Sequence, residues 1–300
     1  MDCVDYDHPD AENERPGIGP TTRLAGKHGE ERKRLAGPVE RTPKGGMPSV
    51  PAMSVLSATA GTRASEWAVL CDFDGTIAVE DVTDALLKRF ALPGWERLEQ
   101  DWCDGRIGSR QCMVGQVALL DAERGELDSL IDKTSIDPDF PAFVEAARRL
   151  RVPLCVVSDG LDYAIARILA RHDLGQLPII ANRLVATGMR RWRMQSPHAL
   201  AHCRSNSGTC KCSCVDRQRR GRRRVLLIGD GRSDVCAAES ADLVFAKSHL
   251  LDHCRMAGIE HRAIENFRDA LALLPELHGS EWMPATDGSR DPLPLRVRMA

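Results

Sequence analysis

The chain has 300 residues, with 41 Lys and Arg against 43 Asp and Glu for a formal net charge of −2, and 43% of it is hydrophobic. That length and apolar share suit one large domain or two small ones with a real core. The near-neutral balance argues against a globally basic nucleic-acid binder, and no window approaches the roughly 20 consecutive apolar residues of a membrane span. The opening MDCVDYDHPD is acidic where a secretory signal would be basic and then apolar. The 11 cysteines are therefore read as reduced thiols of a cytoplasmic protein, not as a disulfide framework.

In chain order, residues 1–62 hold seven of the 17 prolines and eight of the 24 glycines, but only eight Leu, Ile, Val or Phe. This is too little apolar content to offset the entropy of ordering, and the segment is predicted to be a disordered leader. A first strand follows at Ala68–Asp72. From 80 to 137 no strand signal appears, only helical patterns such as Trp95-Leu98-Trp102 and Val114-Val117-Ala118, which predicts an inserted helical cap. Phe143, Ala146, Ala147 and Leu150 fall at helical spacing. A second strand is predicted at Pro153–Ser158, and a helix through Leu161, Ile165, Ile168 and Leu169. A small hairpin turns at Thr187-Gly188 within 182–195. Further strands are expected at Val225–Gly229 and Asp242–Ala246, and a flexible tail at 279–300. The strands are continuous apolar runs rather than alternating ones, as parallel strands covered on both faces should be. The predicted fold is α/β, a doubly wound parallel sheet of Rossmann-like type, with core segments 63–79 and 138–278 around the inserted cap.

Chemistry gathers at the strand ends. The first strand runs into Asp72-Phe73-Asp74-Gly75-Thr76. Residues two apart share a face of a strand, so both carboxylates leave the carboxyl edge of the sheet, where open α/β sheets bind ligands. Such a pair suits a nucleophile beside a proton donor, and it calls for a neutralising cation. The second strand ends in Ser158-Asp159-Gly160, with a hydroxyl and free amides suited to a phosphate. The strand at 225–229 ends in Gly229-Asp230-Gly231-Arg232-Ser233-Asp234, adding two carboxylates whose hard oxygens suit Mg²⁺. Lys211 is the single lysine between Ser158 and Asp230, and its ammonium is placed to neutralise both carboxylates and a phosphoryl group.

DFDGT, then SDG, then a lysine, then GDGRSD resembles the four-motif signature of the haloacid dehalogenase superfamily, over essentially all of 67–275. The helical insertion between the first two motifs resembles the phosphoserine phosphatase-like subclass. The runs WERLEQDWCDGRIGSRQCM, PHA, GTCKC and CAAESADLVFA are similar to one subgroup, that of the methionine-salvage 2-hydroxy-3-keto-5-methylthiopentenyl-1-phosphate phosphatases. The resemblance implies a Mg²⁺-dependent phosphatase of a small-metabolite phosphomonoester, acting through an aspartyl-phosphate. It implies Asp72 as nucleophile and Asp74 as acid and base. Thr76, Ser158, Asp159, Gly160 and Lys211 are implied around the phosphate, and Asp72, Asp74 (through its carbonyl), Asp230 and Asp234 around the metal. Glu80, Arg106 and Arg110 are the expected readers of the substrate. The competing readings are a phosphoserine phosphatase-like enzyme or phosphotransferase of the same fold, and a catalytically idle binding protein.

Three features stand apart. Cys203, Cys210, Cys212 and Cys214, near His198 and His202, lack the paired CxxC pattern of a zinc site, so free thiols are expected, with structural zinc as the alternative. The basic run Arg217, Arg219, Arg220 and Arg222–Arg224 reads as a solvated connection, with polyanion contact as the alternative. Trp95 and Trp102 read as cap core.

Overall fold

The computed structural model describes residues 65–281. The leader expected over 1–62 lies outside the described residues, as does the tail beyond 281. The described chain runs β1 (Trp67–Cys71), α1 (Val82–Phe90), α2 (Trp95–Cys103), α3 (Ser109–Ala118), α4 (Arg124–Ile131) and α5 (Phe140–Arg149). It continues through β2 (Leu154–Leu161), α6 (Asp162–Arg171), β3 (Ile179–Ala186), β4 (Trp192–Gln195) and α7 (Lys211–Arg220). It closes with β5 (Arg224–Gly229), α8 (Val235–Ala238), β6 (Leu243–Ala246), α9 (Ser248–Ala257), β7 (His261–Ala263) and α10 (Phe267–Leu273).

The sheet has seven strands in the order β4-β3-β2-β1-β5-β6-β7. All neighbours pair in parallel except β3 and β4, which form the expected hairpin with Ala186 opposite Trp192. β1 and β2 are buried at every residue, so β1 and the first half of β2 read as apolar runs, and β2 continues through Ser158 and Asp159 to Leu161. Along β1, Val69 and Cys71 join one apolar layer and Leu70 the other, with Val215 of α7 and Leu250 of α9. Two parallel layers on one sheet are the doubly wound arrangement.

Between β1 and α5 the chain is helical, α1 to α4. Leu86, Val117 and Leu127 of these helices bury themselves in the same apolar cluster as β1. Asp81 caps α1 by accepting the Asp84 amide at 2.8 Å. Where the chain returns to the sheet, the Asp137 carboxylate accepts the amides of Asp139 and Phe267, both at 2.9 Å. Phe267 stacks edge-on against Phe140 and Phe143, so α10 is fastened to the foot of the helical block. The basic run is partly helical: Arg217 to Arg220 form the last turn of α7, where cations favour the dipole. Arg219 donates to the Ser240 carbonyl and Arg224 lies over the Trp67 ring, 4.0 Å from its centroid. Among the described residues, no helix is long and apolar enough to cross a membrane.

Candidate active site

β1, β2 and β5 all end at one edge, and their parallel register brings DFDGT, SDG and GDGRSD together. Asp72 is 5% exposed and leaves β1 with its amide bonded to the Ile228 carbonyl of β5 at 2.9 Å. One carboxylate oxygen accepts the Phe73 amide at 2.7 Å. The other meets the Lys211 ammonium at 2.6 Å. Lys211 begins α7 and is itself buried. It also donates to Asp234 at 2.7 Å and to the Ser233 hydroxyl at 3.0 Å. One cation thus lies between two buried carboxylates.

Asp74 turns a different way. Its carboxylate accepts the Val82 amide at 2.9 Å, at the first turn of α1. On its other side stands Gly160, where any Cβ would overlap the Asp74 carboxylate and crowd the Ser158 hydroxyl. Gly75 turns with φ of +70°, and a Cβ there would overlap the Asp230 carboxylate. Glycine at 160 leaves Asp74 its place, and at 75 glycine also suits the backbone conformation.

The electrostatics follow from burial with too few cations. Burial, then the nearby Asp234, raises the Asp72 carboxyl to about 7, although Lys211 pulls the other way. Burial, followed by repulsion from Asp81, raises Asp74 well above the usual carboxylate range. Burial and Asp72 raise Asp230 as well. Burial alone would lower Lys211, but Asp234 and Asp72 more than reverse this, and its ammonium is held charged. Oxygens of Asp72, Asp230 and Asp234 lie within 4.8 Å of one another. Three crowded carboxylates, two of them pushed toward protonation, are a donor set that fits a divalent cation with hard oxygen ligands.

These groups open onto a cavity of about 60 Å³. Asp72, Asp74, Ser158, Gly160 and Asp230 line it from the sheet edge, and Trp102, Ser109 and Met113 close it from the helical block.

Several sequence expectations change here. Thr76 was expected at the phosphate, but its buried hydroxyl donates to Asp230 at 2.7 Å, so it orients a carboxylate. Asp159 lines the cavity, yet its carboxylate is already spoken for: it accepts the Ser109 hydroxyl and the Thr209 amide, both at 2.8 Å, and the Asn182 amide group at 3.1 Å. It joins the helical block to the loop before Lys211. The Asp74 side chain stands outside the carboxylate trio, which leaves the expected metal contact through its carbonyl as it was. Glu80, Arg106 and Arg110 do not line the cavity. All three are exposed, and Arg106 is paired with Asp101 and Asp104. Trp102, expected in the core, instead forms cavity wall. Met113, Ser109 and Asn182 were missed.

A model of the haloacid dehalogenase-like hydrolase family matches residues 69–239. The 2-hydroxy-3-keto-5-methylthiopentenyl-1-phosphate phosphatase of Brevibacillus brevis is 30% identical over 212 residues, covering 70% of this chain and 95% of the relative. The protein of the same name from Geobacillus kaustophilus is 31% identical over 216 residues, covering 70% and 96%. Among solved structures, a phospho-aspartyl intermediate analogue of phosphoserine phosphatase shares the fold. Its TM-score is 0.54 at 18% identity, over 70% of this chain and 99% of that one.

Proposed function

The chain belongs to the haloacid dehalogenase-like hydrolase family, and from that premise we propose that it hydrolyses a small phosphorylated metabolite through an aspartyl-phosphate on Asp72. The observation that carries this is the pairing of a Lys211-held Asp72 with a separately oriented Asp74 around one cavity. An Asp72 oxygen attacks phosphorus, and the bond to the ester oxygen breaks. Asp74, whose burial and neighbour Asp81 favour its protonated form, gives its proton to the departing alcohol. Asp74 then takes a proton from a water that attacks the aspartyl-phosphate, releasing phosphate and restoring Asp72. The Ser158 hydroxyl, which accepts the Gly160 amide at 2.9 Å, donates its proton to a phosphoryl oxygen, and Lys211 balances the charge. Asp72, Asp230 and Asp234, with the Asp74 carbonyl, would hold Mg²⁺. When bound, it supplies charge neutralisation to the phosphoryl group.

In this reading, 80–137 is a cap over a core of 63–79 and 138–278. It excludes water and limits substrate size. The relatives' names point to the sulfur-containing pentenyl phosphate of methionine salvage. An indole and a thioether, Trp102 and Met113, offer that substrate an apolar wall for a methylthio tail. The exposed position of Glu80 removes one carboxylate that would read an amino acid's ammonium. Among the described residues nine cysteines, Cys71 and Cys155 among them, are free thiols and Cys103 is disulfide-bonded, a balance on the side of a reducing cytoplasmic setting.

The test is a panel of metabolite phosphates compared by kcat/KM with Mg²⁺ present. The pentenyl phosphate should lead phosphoserine and phosphocholine. A clear preference for phosphoserine would overturn the substrate assignment. An inert panel would overturn the hydrolase mechanism in favour of phosphotransfer or an idle site.

A further inference from the structure

Four cysteines from two segments converge beside Lys211, outside the set of residues that the reaction uses. The sulfurs of Cys203, Cys212 and Cys236 lie within 4.8 Å of one another. Cys212 and Cys236 are 3.2 Å apart, and Cys210 stands 3.6 Å from Cys212. All four are free thiols. Cys203, Cys210 and Cys236 are buried, and Cys212 is half-buried.

Polar groups stand beside three of the four sulfurs. Ser205 sets its hydroxyl 3.3 Å from the Cys203 sulfur and 3.6 Å from that of Cys236, within reach of both. Ser207 lies 3.3 Å from Cys203 but gives its own proton to the Thr209 carbonyl at 2.9 Å. Cys212 occupies the first turn of the ten-residue α7, where free amides and the helix dipole favour an anion. A structural zinc site has four ligands at tetrahedral corners, and with Zn–S of about 2.3 Å its sulfurs lie about 3.8 Å apart. To reach that geometry the closest pair, Cys212 and Cys236, opens by about 0.6 Å, and Cys210, which stands outside the group of three within 4.8 Å, closes in by about an ångström. Cys214, which the sequence spacing grouped with these, packs in the apolar layer between α7 and the sheet. Its place is taken by Cys236, 22 residues beyond it. Neither His198 nor His202 joins the group.

We propose that Cys203, Cys210, Cys212 and Cys236 form a structural tetrathiolate zinc site, separate from the carboxylates of the catalytic cavity. Soft sulfur donors in a tetrahedral set select Zn²⁺ over Mg²⁺. Each thiol gives up its proton to solvent as its sulfur binds, and nothing is oxidised or reduced. The site has a mechanical consequence. Cys210 and Cys212 flank Lys211, and Cys236 follows Asp234 by two residues, so one ion would pin together the two segments whose Lys211–Asp234 pair is 2.7 Å long.

The full-length chain, purified under reductant with no zinc added, should carry about one zinc per chain by elemental analysis. The double variant Cys203→Ser, Cys236→Ser should lose it, and Cys214→Ser should keep it. Two serines at buried positions risk the fold, so a second measurement uses the wild-type chain. Stripped with a strong chelator and refilled with Co²⁺, it should show thiolate-to-cobalt charge transfer and the intense visible bands of a tetrahedral site. A zinc-free wild type whose cobalt form lacks those bands would overturn the proposal. So would zinc retained by the double variant, or an intact mass showing a Cys212–Cys236 disulfide in the reductant-free chain.

Discussion

Replacing Asp72 by Asn separates what the nucleophile does for chemistry from what it does to the fold. The amide cannot attack phosphorus, so turnover should vanish. Stability should move the other way when divalent metal is removed by chelator. The native Asp72 carboxyl takes up its proton near 7, against 3.8 for a free one, with burial the main cause. The folded state therefore binds more protons between those two values, and its stability falls as pH rises through that window. Three pH units are worth about 4 kcal/mol at neutral pH. Part of this is returned, because the amide leaves Lys211 with a weaker partner than a carboxylate at 2.6 Å. A net gain of about 2 kcal/mol would raise the melting temperature by roughly 4–8 °C for a domain of this size. Thermal unfolding of both proteins in chelator should show the variant ahead at pH 8 and the gap closing toward pH 4. Added Mg²⁺ should narrow the gap by binding the wild type more tightly. A variant less stable than wild type at pH 8 without metal would refute the account of Asp72 as a strained, under-neutralised carboxylate.

The other expectations concern its neighbours. Asp74→Asn should lower kcat by about 10²–10⁴-fold with the fold intact, and a full-rate variant would remove Asp74 from the proton path. Gly160→Ala should mimic that loss by pushing Asp74 aside, read as a fall in kcat at nearly constant melting temperature. Thr76→Val leaves Asp230 without its 2.7 Å hydroxyl donor, and the concentration of Mg²⁺ needed for half-maximal rate should rise several-fold. Trp102→Ala and Met113→Ala should raise KM for the pentenyl phosphate while leaving kcat on a compact generic phosphoester near wild type. Equal losses on both substrates would show that these side chains hold the fold rather than the tail.

The strands at the heart of the sheet were legible because burial on both faces gives each a continuous apolar run, broken only at the ends. The edge strand β7 was not: it is three residues, His261–Ala263, none of them buried. The carboxylates of the candidate site announced themselves by falling at strand ends in chain order. What escaped were pairings across long separations. Thr76 finds Asp230 154 residues away, and no local pattern distinguishes that hydroxyl from one aimed at a ligand. Asp159 carried a usable warning, since a carboxylate in a phosphate cradle would repel its ligand unless turned toward donors of its own. In the helical block, Trp95 and Trp102 sit seven residues apart on nearly one helix face, yet the first is buried core and the second lines the cavity. Periodicity identifies the inward face without telling packed interior from binding wall. The thiol group shows the same limit: spacing suggested Cys214, whereas the fold supplies Cys236 from the next strand end.

The split origin of the cavity lining bears on how such a protein diverges. Every group assigned to bond making and breaking comes from a strand end or from the start of α7, whereas Trp102, Ser109 and Met113 come from α2 and α3. A population of variants can therefore explore new substrates through positions 102 and 113 while inheriting the reactive centre unchanged. Ser109 is the constraint on that freedom, because its hydroxyl bonds to Asp159, which also receives the Thr209 amide two residues before Lys211. A helical block transplanted from a relative would need a donor at that one position, and with it a chimera would acquire a different diet on the same chemistry.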